Sequence, residues 1–264
     1  MSEKATSIEV PVMSDVFAKG KKPEYLFWVG CAGAFDNRYK KVARAFAGLL
    51  NLLQADYAVL GTEETCNGDP ARRAGNEMLF QMQALQVMET LNMYEVKKII
   101  CICPHCFNIF KNEYPVLGGK YEVIHYTQYI AEQLKGGRLQ PDKSKLQGKK
   151  VTFHDPCYLG RGNGEYDAPR YIIDALGMER VEMPRSKSFS LCCGAGGAQM
   201  FKEAEKGDKE VFMERTEEAL GMKADIIASS CPFCMTMLTD GLKYKEEEKT
   251  VNKDIAELLA DACM

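Results

Sequence analysis

The sequence has few of the features that mark membrane, nucleic-acid-binding or nucleotide-cofactor proteins. It contains no run of about 18 apolar residues, the length that a membrane-spanning helix needs. The formal net charge is −3 and no basic block accompanies an aromatic cluster, which argues against nucleic acid as a partner. No G-x-G-x-x-G fingerprint follows a predicted strand, so nothing indicates bound NAD or FAD.

The amino-terminal segment also lacks a secretory signal. Residues 1–20 are interrupted by polar side chains and contain no apolar run followed by a cleavage site. We therefore expect a cytoplasmic protein, which would reach the inner face of a membrane only through a partner. Disulfides are rare in that compartment, so the eleven cysteines among 264 residues indicate metal ligation or redox chemistry.

Nine of the eleven cysteines fall into two sets with the same order. The first set is Cys31, Cys66, Cys103 and Cys106, and the second is Cys157, Cys192, Cys193, Cys231 and Cys234. In both sets 34 residues separate the first two cysteines, and the segment 97–110 resembles 224–237, each ending an apolar run in Cys-Pro-x-Cys. The chain therefore contains a duplicated unit. We place the first repeat at 22–140 and the second at 149–245, joined by a Gly- and Lys-rich connection.

Predicted strands alternate with helical patterns in both repeats. The strands are expected at 25–30, 57–61, 97–102, 121–126, 149–154, 180–184 and 224–229. This alternation predicts an α/β fold of two duplicated, pseudo-symmetric units with small parallel sheets. Several cysteines directly follow a strand, so the thiols should cluster at the carboxyl-terminal ends of the strands. The segment 76–94 has the period of an amphipathic helix, and we expect its methionines to fill the core.

The second set has more thiols than a single metal ion uses. A structural zinc ion takes four ligands, and adjacent cysteines such as Cys192 and Cys193 bind one ion awkwardly, whereas a cluster with several irons accepts one thiolate on each of two metals. The glycine-rich segment 194–197 follows directly and allows backbone amides to approach cluster sulfurs. The pattern favours a polynuclear metal site.

Three segments carry a resemblance to a known family. HDPCYLGR at 154–161, LCCGAGG at 191–197 and SSCPFC at 229–234 resemble the duplicated cysteine-rich CCG domains of heterodisulfide reductase B and D subunits, which also occur in iron–sulfur subunits of glycolate and lactate oxidation. The resemblance covers 25–242. It implies a noncubane [4Fe-4S] cluster, the place where heterodisulfide reductases cleave a disulfide, held by Cys157, Cys192, Cys193, Cys231 and Cys234.

The resemblance further implies a function within a larger assembly. We expect an iron–sulfur electron-transfer or oxidoreductase subunit that reduces a disulfide or relays electrons. Related D-type subunits carry a ferredoxin-like segment that we do not find here. The expected partner is therefore a ferredoxin-type iron–sulfur subunit, itself membrane-bound or flavin-linked.

The first repeat departs from the family pattern. Asn67 stands where the motif places its second adjacent cysteine, which leaves four thiols, at Cys31, Cys66, Cys103 and Cys106. Four thiolates suit a second [4Fe-4S] cluster or a zinc ion. We interpret Cys101, two residues before Cys103, as a buried small side chain and not as a ligand.

Two other interpretations of the cysteines, and the role of one histidine, stay open. Cys103-Pro104-His105-Cys106 between a strand and a helix is also typical of a thioredoxin-like dithiol oxidoreductase. The cysteines could instead bind structural zinc alone. His154, three residues before Cys157, is a candidate proton donor or hydrogen-bond donor to the second cluster.

Overall fold

The structure is a computed structural model, and it describes residues 8–203 and 206–264. The remaining residues, 1–7 and 204–205, lie outside it, so the predicted absence of a secretory signal falls partly beyond the described residues. Within the described ranges, no helix has the length and apolar character required to cross a membrane.

The described residues form eight strands and eleven α-helices. The strands are β1 Tyr25–Trp28, β2 Tyr57–Ala58, β3 Lys98–Cys101, β4 Glu122–His125, β5 Lys150–Phe153, β6 Glu179–Val181, β7 Ile226–Ser229 and β8 Val251–Asp254. The helices are α1 Met13–Ala18, α2 Gly30–Phe35, α3 Tyr39–Leu52, α4 Asp69–Arg73, α5 Glu77–Met93, α6 Pro104–Asn108, α7 Tyr126–Lys135, α8 Asp167–Ala175, α9 Val211–Gly221, α10 Pro232–Tyr244 and α11 Ile255–Cys263.

The strands form two parallel sheets with the same topology. The first sheet has the order β2-β1-β3-β4 and the second β6-β5-β7-β8, so each strand of the first sheet has a counterpart in the second. The predicted fold class, two duplicated α/β units with small parallel sheets, is confirmed. Sequence analysis did not predict β8, because this edge strand is polar and only its last residue, Asp254, is buried.

One hydrophobic core is shared by both repeats. Helix α3 packs against α11, and its counterpart pair α7 and α8 packs in the same way. Side chains from all four helices are fully buried in this core, among them Phe46, Ile130, Ile172 and Leu258. Since burial of such side chains is the dominant favourable term in folding, neither repeat completes its core without the other.

Polar contacts also join the repeats beside this core. The buried Asp254 carboxylate begins α11 and accepts hydrogen bonds from the hydroxyls of Tyr126 at 2.5 Å and Tyr39 at 3.3 Å. The Arg38 guanidinium pairs with both carboxylate oxygens of Glu257, at 2.6 and 2.7 Å. These contacts hold the first repeat's α3 and α7 against the start of α11.

The methionines of α5 contradict one prediction. The helix forms where expected, but Met78, Met82 and Met93 are exposed and only Met88 is buried. The core-facing side is instead filled by residues such as Phe80. Because α5 carries apolar side chains on more than one face, its sequence pattern could not identify which face is covered.

Candidate metal centre

The Cys-Pro-x-Cys segments begin helices at the carboxyl ends of the central strands. Cys103 precedes α6 and Cys231 precedes α10, each in extended conformation and each followed by proline at the first helical position. Proline suits this position because its missing N–H would be unpaired there in any case. Both cysteines are therefore held at the start of a helix, at the carboxyl-end edge of the sheet where they were predicted.

The second cysteine of each set lies in the same tight turn. Gly68 and Gly194 have φ angles of 90° and 91°, a region that favours glycine. The Gly68 amide donates to Cys66 Sγ at 3.5 Å, and the Gly194 amide donates to Cys192 Sγ at 3.3 Å. An amide aimed at the sulfur favours the thiolate, the form that binds metal.

Asn67 occupies the turn position that Cys193 holds in the second repeat. Both side chains are buried, and Asn67 Oδ1 accepts a hydrogen bond from the Asp69 amide at 3.2 Å. Its Nδ2 has no partner among the described residues. The turn is thus kept while the fifth thiol is absent.

The first cysteine of the first set is supported by a carboxylate that sequence analysis missed. Glu64 accepts the backbone N–H groups of Val29 at 3.1 Å and Gly30 at 2.5 Å, at the start of the helix that carries Cys31. Burial raises the pKa of Glu64 to about 7. No motif marks Glu64, since it lies 35 and 34 residues from Val29 and Gly30, whose amides it binds.

The two cysteine sets meet. Burial raises the pKa of the Cys103 thiol, but the nearby thiols of Cys106, from its own set, and Cys231, from the other, hold that pKa well below its usual range. Beside them the His105 ring lies 4.7 Å from Phe233, its counterpart in the second Cys-Pro-x-Cys segment. The duplication therefore brings the carboxyl-end edges of the two sheets face to face.

The thiols of the second set influence one another's ionisation. Interaction with Cys192 raises the pKa of Cys193 to about 12 and also raises that of Cys157. Cys157 and Cys193 in turn lower the pKa of Cys192, so one thiolate is favoured at the expense of its neighbours. A cationic metal centre would stabilise all of these thiolates together.

The spacing of the donor atoms suits a cluster better than a single ion. Zn–S bonds of about 2.3 Å place the sulfurs of a tetrahedral site about 3.8 Å apart. Across 8–203 and 206–264, one ring nitrogen of His154 and the sulfurs of Cys193 and Cys234 form the only group of three donors within 4.8 Å of one another. Among the four thiols of the first set, no three sulfurs lie within 4.8 Å of one another.

Unpartnered polar atoms also surround the cysteines. Buried side-chain atoms without a hydrogen-bond partner in the described part of the chain include those of Trp28, Asn67, His154, Ser229 and Ser230. An unpaired buried donor is costly, and the sulfurs of an iron–sulfur cluster accept hydrogen bonds. The residues present therefore fit an iron–sulfur cluster.

The histidines differ in their surroundings. His154 Nδ1 accepts from Nε of Arg215 at 2.9 Å, and burial together with the Arg215 charge holds the pKa of His154 well below its usual range. His105 Nδ1 lies 2.9 Å from Asp69 Oδ2. Sequence analysis missed Arg215, which lies outside the cysteine segments, and Asp69, which follows Cys66 by three residues but matches no part of the cysteine motif. Cys101 is fully buried in the apolar core.

Two parallel sheets whose facing edges carry repeated cysteines define a duplicated cysteine-rich α/β protein. The chain belongs to the CCG cysteine-rich domain family, which matches residues 25–111 and 151–239. The resemblance drawn from the motif segments is thereby confirmed.

Curated relatives carry redox names. The chain is 46% identical over 264 residues to a probable iron-sulfur-binding oxidoreductase, FadF, of Bacillus subtilis, covering 99% of this chain and 37% of the relative. It is 47% identical over 247 residues to EtfAB:quinone oxidoreductase of Syntrophomonas wolfei, covering 91% and 34%. It is 37% identical over 252 residues to the D-type subunit of dihydromethanophenazine:CoB–CoM heterodisulfide reductase of Methanosarcina barkeri, covering 91% and 59%. The chain thus spans between a third and three fifths of these relatives.

Proposed function

We propose that this protein is an iron–sulfur electron-transfer subunit of heterodisulfide-reductase type, acting on the cytoplasmic side within a larger redox complex. The observation that carries the proposal is the meeting of the two Cys-Pro-x-Cys segments, where the His105 ring of one lies 4.7 Å from the Phe233 ring of the other. Two centres so placed could exchange electrons without a third carrier. The names of the relatives, which include quinone-linked and heterodisulfide-linked oxidoreductases, support the same class of chemistry.

The proposed cofactors differ between the repeats. In the second, a noncubane [4Fe-4S] cluster would be held by Cys157, Cys192, Cys193, Cys231 and Cys234. In the first, Cys31, Cys66, Cys103 and Cys106 would hold a second [4Fe-4S] cluster. Such clusters supply one-electron transfers, and the second would also supply the centre for reducing a disulfide.

The first centre would lie near the protein surface, where electrons from a partner could enter. Cys31 is exposed, and a cavity of about 640 Å³ with Phe35 in its wall opens beside Cys31 and Cys66. A ferredoxin-type partner could approach the first centre there. Between the two sets, the His105 ring packs against the rings of Tyr158 and Phe233, with centroids 4.3 and 4.7 Å away.

Burial weighs against the thioredoxin-like alternative. Cys103 is 4% exposed and Cys231 is 1% exposed, although each is the first thiol of its Cys-Pro-x-Cys segment. A dithiol enzyme needs that thiol at the surface to attack its substrate, and buried cysteines are inert.

Metal analysis after anaerobic purification tests the proposal. Two four-iron clusters predict about eight iron atoms and about eight acid-labile sulfides per chain. Zinc without sulfide would contradict the proposal and indicate a structural zinc protein.

Electron paramagnetic resonance (EPR) of the oxidised protein then separates disulfide reduction from electron relay. A paramagnetic species that appears only with an added thiol would support substrate chemistry at the second centre. If no such species appears, disulfide reduction at the second centre is refuted and electron relay remains.

A further inference from the structure

Two ring nitrogens occupy equivalent places in the repeats. Trp28 ends β1 three residues before Cys31, and His154 follows β5 three residues before Cys157. Both side chains are 1% exposed. Trp28 Nε1 and His154 Nε2 have no hydrogen-bond partner among residues 8–203 and 206–264.

Both rings lie against the thiols of their own set. A Cβ built on Gly30 would lie 3.4 Å from Cys106 Sγ and 3.9 Å from Trp28 Nε1, so both atoms border the same point. In the second repeat, one ring nitrogen of His154 lies within 4.8 Å of the sulfurs of Cys193 and Cys234. An indole nitrogen can only donate, whereas a neutral imidazole donates from one nitrogen and accepts at the other.

Arg215 decides which nitrogen of His154 donates. Its Nε lies 2.9 Å from His154 Nδ1, and an arginine side chain has donors but no acceptor. His154 Nδ1 must therefore accept, which leaves the single ring proton on Nε2. In a doubly protonated ring, the N–H at Nδ1 would point at the N–H of Arg215 Nε, and the two donors would repel each other.

Arg215 is itself held in place. Its guanidinium donates to the Arg185 carbonyl at 2.9 Å, to Glu218 Oε2 at 3.0 Å and to the Ser190 hydroxyl at 3.2 Å. The side chain is fully buried, so it cannot turn away to release His154 Nδ1.

The same hydrogen bond argues against His154 as an iron ligand. A histidine that binds metal through one nitrogen usually donates the other N–H to a carboxylate, a carbonyl or water. Here the second nitrogen accepts from arginine, so Nε2 keeps its proton and has no free lone pair. The group of His154, Cys193 and Cys234 is therefore not a three-ligand metal site.

We infer that Trp28 and His154 each donate one N–H to a sulfur of the cluster in their own repeat, and that Arg215 is the positioning residue that makes His154 a fixed donor. This inference rests on the proposed function. Reduction adds negative charge to the cluster, and a donor aimed at sulfur stabilises that charge. Each N–H would raise the reduction potential of its own cluster.

Labelling tests the donor directly in the unaltered protein. Protein from cells grown on ¹⁵N-histidine carries the label, and electron–nuclear double resonance of its clusters in a paramagnetic state measures the coupling to histidine nitrogen. We expect a weak nitrogen coupling, as for a nitrogen hydrogen-bonded to cluster sulfur. A strong coupling from a nitrogen bonded to iron, or no histidine coupling at all, would overturn the assignment.

Potentials of variants test the positions separately. His154→Phe should lower the reduction equilibrium constant of the second cluster about tenfold, which is about 59 mV for one electron. Trp28→Phe should produce a similar shift in the first cluster alone. Arg138→Met is the matched control for Arg215→Met, the arginine variant described below, because Arg138 donates to the Leu53 carbonyl in the first repeat. Unchanged potentials in both ring variants would refute the inference.

Arg215 variants test the positioning role. Arg215→Met should lower the second potential, and Arg215→Lys should restore most of it because lysine can donate to Nδ1. In a His154→Phe background, Arg215→Met should lower the potential by much less, because only the through-space effect of the lost charge remains, and an equal shift in both backgrounds would refute the role. If Arg215→Met does not fold, as thermal melting would show, the lysine variant and the ring variants carry the test. A protein with zinc and no sulfide would instead refute the proposed function itself.

Discussion

The two repeats share one turn and differ in what it carries. Gly68 and Gly194 have nearly the same φ, and Asn67 and Cys193 are buried to nearly the same extent, 4% and 3% exposed. Replacing the fifth thiol by an amide therefore leaves the local backbone unchanged. The comparison teaches that side-chain chemistry, and not the backbone, separates the two candidate centres at this turn.

The repeats also differ outside the turn. The equivalent ring donors are an indole at Trp28 and an imidazole at His154, and only the imidazole needs an arginine to define its proton. Helix α5 exposes methionines, whereas the exposed side of α9 carries carboxylates such as Glu214 and Glu217 that pair with basic residues. The cysteine-bearing edges of the two repeats are therefore more alike than their solvent-facing helices.

The largest effect is expected from Cys193→Ser. Without the fifth thiol, the second repeat should lose its noncubane cluster, and iron should fall by about half. Iron analysis with EPR measures the loss, and Cys263→Ser, remote from both sets, is the control. Unaltered metal content would rule out a five-thiolate site.

The reciprocal change sharpens the comparison. Asn67→Cys supplies the missing thiol in a turn that already has the required conformation. We expect the first centre to acquire the EPR spectrum of the second, with iron content retained. If the first spectrum is unaffected, features beyond this position set the cluster type.

Ile172→Ala tests whether the repeats fold as one unit. Ile172 is fully buried in the shared core, so its truncation should cost about 2–5 kcal/mol of unfolding free energy. One cooperative denaturation transition should move to lower denaturant. Two transitions, with only the second repeat destabilised, would show that the repeats fold independently.

A smaller effect is expected at Cys101, the counterpart of Ser229. Cys101→Ser should leave iron content unchanged, because the equivalent residue of the second repeat, Ser229, supplies no thiol. The introduced hydroxyl would be buried without a partner, which should cost about 1–3 kcal/mol in a denaturant titration. Loss of iron would instead identify Cys101 as a ligand.

The smallest effect is expected on the exposed face of α5. Met82→Ala should change the unfolding free energy by no more than about 0.5 kcal/mol, since Met82 is exposed. Met88→Ala on the buried side of the same helix should cost about 2–5 kcal/mol. Equal costs for the two variants would mean that the exposed face is covered in the assembled protein.

Much of the fold was predictable because local patterns specify it. Apolar runs before Cys103 and Cys231 predicted the central strands, and the proline after each predicted the helix start. The polar edge strand β8 was missed because hydrogen bonds to β7, and not its own residues, make it a strand.

The sequence by itself determined the family, the duplication and the loss of one thiol at Asn67, because each depends on residue identity and spacing. Only the tertiary structure decided that the two Cys-Pro-x-Cys segments meet, that Glu64 caps the helix of Cys31 and that Arg215 orients His154. These contacts join residues that are distant in the chain. Their geometry follows from how the two sheets pack around a shared core, which no local pattern encodes.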